Sequence, residues 1–160
     1  PALQGSAQEF PDWLLVLAGP DEGGYRIQLE KMVRDLGLKN RVIFPGMVTG
    51  EVKAALLAHA DMFVLPSYSE GFPVAVAEAL GYGRPVVITT SSYMPEVAEA
   101  GAGLVVPPEM QALTTALGKM MRDEALRNKC AQNAIKLAKG HFTWDAVASQ
   151  TLDFYRDVIQ

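Results

Sequence analysis

The sequence predicts an α/β fold: a doubly wound parallel sheet followed by a helical tail. Three observations carry the prediction. Short apolar, β-branched runs alternate with helical runs from Trp13 onward. Those strand-like runs lack polar alternation, as strands covered on both faces do. From residue 109 to 160 the strand signal stops and every run reads as helix. With 160 residues, 49% hydrophobic and 20% charged, the chain can bury a core and is too apolar for disorder. One domain over 1–160 is expected.

The elements follow in order. "WLLVLAG" (Trp13 to Gly19) reads as a buried strand, and "DEGGYRIQLEKMVRDLGL" as a glycine turn entering a helix. "RVIFPG" (Arg41 to Gly46) is a second strand, and "TGEVKAALLAHA" a helix with Thr49 as its cap. "DMFVLPS" (Asp61 to Ser67) is a third strand. "PVAVAEALGYG" is a helix with Pro73 at its first position and Gly81 and Gly83 ending it before Pro85. "RPVVITT" is a fourth strand and "AGLVVPP" (Ala102 to Pro108) a fifth. Three helices follow, with Met110, Met120, Met121, Trp144 and Tyr155 at core spacing.

Composition narrows the function classes. The formal net charge of −4 argues against nucleic acid as a partner. The lone Cys130 excludes an internal disulfide and reads as a buried structural thiol. No metal-ligand cluster is visible, so no metal and no resident cofactor are expected. No run approaches the ~20 apolar residues of a spanning helix. No signal peptide is present, and residue 1 is Pro, so the chain reads as a cytoplasmic protein or a piece of one.

Doubly wound sheets bind ligands at the carboxyl ends of their strands. After the first strand, Gly19, Gly23 and Gly24 lead into a helix, where backbone amides suit an anion; a plain turn explains them equally well. After the third strand comes "PSYSEGFPVAVAEAL". Glu70 lies in the loop, where a solvated cap competes with a ligand role. The amides of Gly71, Phe72 and Val74 are expected to be unpaired donors at the helix start. Glu78 lies among Val74, Val76, Ala77, Ala79 and Leu80. A carboxylate there reaches water or needs donors, and the vicinal hydroxyls of a ribose supply two side by side.

"EGFPVAVAE" resembles the E-x7-E signature of the group 1 glycosyltransferases, the retaining family-4-like enzymes of GT-B fold. "ADMFVLPSYSEGFPVAVAEALGYGRPVV" is similar to the family pattern along its length, and "LLVLAGPDEGGY", "NRVIFPGMV", "PEVAEAGAGLVVPP" and "HFTWDAVASQTLDFYRDV" resemble its flanking segments. The resemblance implies the Rossmann-like, C-terminal, donor-binding half of a GT-B enzyme that transfers a sugar, of hexosyl type, from a nucleotide-diphosphate sugar. It makes Glu70 the catalytic candidate, holding the donor sugar with the Gly71, Phe72 and Val74 amides near the phosphate. Glu78 would hold the ribose, Gly19 would lie near the diphosphate, and Phe44, Met47, Val48 and Lys53 would flank the base.

The chain departs from the family pattern at two places. The basic pair that usually holds the diphosphate belongs ahead of Trp13, and the acceptor domain precedes that, so this piece alone is expected to be inactive. The expected partners are the missing N-terminal domain and an unknown acceptor: a sugar, a lipid-linked glycan or a small molecule. Any membrane association would be peripheral and through the missing domain. Where the family often has a Gly-Gly pair before "PE", this chain has Ser91 and Ser92 in "SSYMPE", expected to narrow the sugar pocket or supply hydroxyls. Two other readings remain at this point: a GT-B nucleotide-sugar epimerase, and a non-catalytic nucleotide-binding or phosphate-receiver module. The receiver lacks an acid cluster at its strand ends.

Overall fold

The computed structural model describes residues 9–159. Residues 1–8 and 160, part of the expected single domain, lie outside the described residues. The chain forms two compact units, Pro1–Leu56 and Leu57–Gln160.

In the first unit, β1 (Leu15–Ala18) pairs in parallel with β2 (Val42–Gly46), and α1 (Tyr25–Asp35) connects them. The pairing slips between Val16 and Ala18, so Ala18 lies opposite Gly46. Pro45 falls within that slip and has no N–H to give the ladder. Arg41 anchors the start of β1, donating through Nε to the Trp13 carbonyl at 2.8 Å. The expectation of a buried first strand needs correction: Val16 and Leu17 are exposed. Among the described residues β1 has a single hydrogen-bonded neighbour, and a two-stranded ribbon covers less surface than the centre of a wide sheet. At the turn into α1, Gly23 and Gly24 both take left-handed backbone, at φ 74° and 72°, which glycine adopts without steric cost.

Helix α2 (Gly50–His59) leads into the second unit, a three-stranded parallel sheet in the order β3 (Phe63–Leu65), β4 (Val86–Thr89), β5 (Gly103–Val106). This sheet is covered on both faces, as the unbroken apolar runs predict. Val86 and Ile88 face a core with Leu57, Val76, Ala79, Leu80, Val97 and Leu137. That side is built by α3 (Val74–Gly81), α4 (Glu96–Glu99) and α6 (Glu124–His141). Val87 faces Ala116, Leu117 and Met120 of α5 (Met110–Arg122), with Cys130. Alternate residues of one strand thus feed two cores.

The end of α3 explains why its sequence stops there. Gly83, at φ 69°, donates to the Leu80 carbonyl, and the Arg84 amide donates to Ala79, both at 2.9 Å. This paired closure needs a left-handed residue at Gly83. Its start differs by one residue from expectation. Pro73, with ψ 82°, is the cap rather than the first helical residue, and its carbonyl accepts from the amides of Val76 and Ala77.

Gly103 makes the tightest approach in the sheet. A Cβ there would stand 2.1 Å from the Val86 carbonyl oxygen and 2.7 Å from Val86 Cγ2. Backbone cannot yield as a side-chain tip does, so Gly103→Ala is expected to cost about 2 kcal/mol. A thermal melt should show a midpoint lower by roughly 4–8 °C.

The tail is only partly core. Met120 and Met121 are buried, but Met110, Trp144 and Tyr155 are exposed, Trp144 at 89%. Helix α7 (Trp144–Ile159) buries no residue: its main packing is against α6, and one such neighbour cannot cover an apolar stripe. Cys130 is buried as expected, and burial pushes its thiol pKa up, with Lys129 and Lys119 opposing. A raised folded-state pKa means the unfolded thiol ionises first as pH rises. Stability present at neutral pH should therefore fall as pH climbs past the ordinary thiol range. A urea midpoint measured from pH 7 to 10 should show the drop in the wild type and a smaller one in Cys130→Ala.

Candidate functional site

Parallel pairing sets Phe63 beside Val86 and Leu65 beside Ile88, so β3 and β4 end at the same edge of the sheet. The loops that leave them are joined there. The Thr89 hydroxyl donates to the Ser67 carbonyl at 2.5 Å. The Glu70 amide donates to the Ser91 carbonyl at 3.2 Å, and Ser67 and Ser69 bond to each other. These contacts fix the Glu70 backbone beside the turn Thr90–Ser92, and the residue is half-buried.

Glu78 lies on α3, four residues after Val74, or about 6 Å along the axis. The buried face of α3 is Val76, Ala79 and Leu80. At 100° per residue Glu78 falls on the opposite side, beneath exposed Val74, and is half-buried. Of its apolar sequence neighbours Val76, Ala79 and Leu80 face the core and Val74 does not, and the 100° step sets Glu78 on the side away from that core. The structure brings Glu70 and Glu78 to the two ends of a short stretch, loop then first turn, at the carboxyl edge of β3.

The amides divide. Those of Gly71 and Phe72 make no hydrogen bond among the described residues. The Val74 amide is committed, contrary to expectation: it donates to the Phe72 carbonyl at 2.9 Å, because the chain turns tightly at Pro73 to enter the helix. A Cβ at Gly71 would meet nothing within 4 Å, so internal packing does not require glycine there. The Phe72 ring packs edge-on against Phe142 at 5.9 Å, between the loop and the α6–α7 junction. Aromatic spacing along the chain gave no sign of that long-range contact.

The other predicted residues belong to the first unit. The Gly19 amide donates to the Gly46 carbonyl at 2.9 Å, so it is not a free anion donor, but it holds the loop after β1 against the loop carrying Met47 and Val48. Met47 is exposed, and Val48 and Lys53 are half-buried. One face of the Phe44 ring is taken by Arg26, whose guanidinium carbon is 5.6 Å from the ring centre.

The turn after β4 corrects the reading of Ser92 and leaves Ser91 partly open to solvent. Ser92 is fully buried, with no hydrogen-bond partner for its hydroxyl, so it does not line a surface site. Ser91 is half-buried. The residue that projects is Tyr93, held at φ 52° and ψ 39°. Left-handed backbone costs a non-glycine residue about 1–2 kcal/mol. An open recess of about 510 Å³ lies elsewhere, lined by Leu104, Val106, Ala112 and Thr115, and includes none of the predicted site residues.

Among the described residues no helix is long and apolar enough to cross a membrane. No group of three His, Cys, Asp or Glu residues there is placed to hold a metal ion.

The parallel sheet gives the fold, and sequence relatives give the class. A profile of the family described as Glycosyl transferases group 1 matches residues 2–137, and the chain belongs to that family. The MMP alpha-(1->4)-mannosyltransferase of Mycolicibacterium hassiacum is 32% identical over 133 residues, 81% of this chain and 32% of its own length. Sucrose-phosphate synthase from Thermosynechococcus elongatus superposes with a TM-score of 0.81 at 27% identity, covering 99% of this chain and 41% of its own. Anabaena Alr3699/HepE, solved in complex with UDP and glucose, gives a TM-score of 0.80 at 26% identity, covering 98% and 44%. The structural neighbours are GT-B glycosyltransferases. The chain spans about a third of the length of the curated relatives it matches.

Proposed function

We propose that this chain binds a nucleotide-diphosphate sugar and that the whole protein transfers its sugar, of hexosyl type, with retention to an acceptor hydroxyl. The observation that carries the reading is a pair of half-buried glutamates, Glu70 and Glu78, on either side in sequence of two uncommitted amides at the carboxyl edge of a parallel sheet. Glu78 accepts from the ribose hydroxyls, since one carboxylate takes two hydrogen bonds side by side. The Gly71 and Phe72 amides face the phosphate and stabilise the charge that grows as the diphosphate leaves. Glu70 accepts from a hydroxyl of the transferred sugar. The neighbour solved with UDP and glucose supports this class of donor. The roles of Gly19, Phe44, Met47, Val48 and Lys53 rest on the family resemblance alone. Basic residues for the diphosphate and the acceptor surface come from parts of the whole protein outside these 160 residues, so this piece by itself binds donor weakly and does not turn over.

Supplying the full-length protein with UDP-, GDP- and ADP-sugars, with and without acceptor sugars, tests the reading. Nucleotide release from one donor class, with the donor's anomeric configuration kept in the product, is expected. Binding of none of the donors would overturn it, and epimerised donor sugar in the absence of acceptor would replace transfer with epimerisation.

A further inference from the structure

Tyr93 is the one non-glycine residue with positive φ among the described residues. Its neighbours are locked in place, Ser92 at 0% and Met94 at 2% exposure, whereas Tyr93 is 74% exposed. The ring stands out of the surface between two anchored positions. It joins none of the aromatic pairs or the cation–π contact found among the described residues. Folding gives no reason for a tyrosine here: glycine or asparagine suits this backbone better, and an exposed ring buries little apolar surface. The turn that carries Tyr93 is tied to the candidate catalytic loop, since Ser91, two residues earlier, accepts the Glu70 amide at 3.2 Å.

We propose that Tyr93 is a specificity-determining residue for the sugar of the donor, limiting which pyranose fits beside Glu70. The inference rests on the reading of Glu70 and Glu78 as a donor site. A phenol suits the task chemically. Its hydroxyl donates to or accepts from a ring substituent, and its ring edge excludes bulk where a glycine would leave space. Strain at a surface residue beside a site is retained where it fixes a side chain's direction, and the buried neighbours hold that direction here.

The test measures kcat/KM of the full-length protein for a panel of nucleotide sugars sharing one base and differing in the sugar, together with the Kd of the matching nucleoside diphosphate. Tyr93→Gly and Tyr93→Asn both suit left-handed backbone, and a thermal midpoint equal to or above that of the wild type is expected for each. The ratio of kcat/KM between two sugars should change by about tenfold or more in both variants, the size that a lost side-chain contact gives. Nucleoside-diphosphate affinity should stay within about twofold. Sugar ratios unchanged in both variants while the donor still binds would overturn the inference alone. A wild type that binds no nucleotide sugar would overturn both it and the donor-site reading.

Discussion

Glu78→Ala in the full-length protein is expected, from the proposed ribose contact, to weaken binding of the nucleoside diphosphate by roughly 100-fold or more. A carboxylate holding two vicinal hydroxyls makes two charge-assisted hydrogen bonds, each worth about 1.5–3 kcal/mol. Their joint loss, offset by the water that replaces them, leaves about 3 kcal/mol, or two decades in Kd. The side chain stands on the outward face of α3, opposite Val76, Ala79 and Leu80. The core beneath therefore keeps its packing. Calorimetric titration reads the affinity, and a thermal melt of the same sample shows whether the helix survives. An affinity within about twofold of the wild type would remove Glu78 from the site.

Glu70→Gln is expected to lower kcat/KM for transfer by roughly 10- to 150-fold, the equivalent of about 1.5–3 kcal/mol. Glutamine keeps the shape and one acceptor oxygen but loses the charge. The backbone bond from residue 70 to the Ser91 carbonyl does not involve the side chain, so the loop should keep its course. Nucleoside-diphosphate affinity should change little, because the proposed function gives Glu70 the sugar and Glu78 the ribose. Steady-state kinetics beside a diphosphate titration separates the two. Equal losses in both would mean that Glu70 shapes the whole loop rather than meeting the sugar.

Much of the second unit was legible in the sequence because its signals are local. Unbroken Val and Ile runs identify strands covered on both faces, and Val86, Val87 and Ile88 are fully buried. The glycine stop of α3 is likewise a local conformational requirement. The spacing of Glu70 and Glu78 is readable for the same reason, since it spans one loop and one helix start. What escaped the sequence depends on where chain segments meet. The Val74 amide looked free because its acceptor, the Phe72 carbonyl, comes within reach only through the turn geometry at Pro73. Ser92, expected to narrow the sugar pocket or supply a hydroxyl, is fully buried, and Tyr93 gives no signal in the sequence because its backbone conformation has no signature in residue type. Trp144 and Tyr155 have the spacing of core residues and stand exposed, since periodicity marks an apolar face without naming what covers it.

The proposed role of Glu78 is to hold the ribose of a nucleotide donor. The direct test is a two-by-two affinity cycle in the full-length protein: wild type and Glu78→Ala, each titrated with the ribonucleoside diphosphate it prefers and with the 2′,3′-dideoxy analogue. Wild type should prefer the ribo form by roughly 100-fold, and Glu78→Ala should bind both forms within about twofold, a coupling of about 3 kcal/mol. A variant that keeps the wild-type preference for the ribose hydroxyls would show that Glu78 does not hold them.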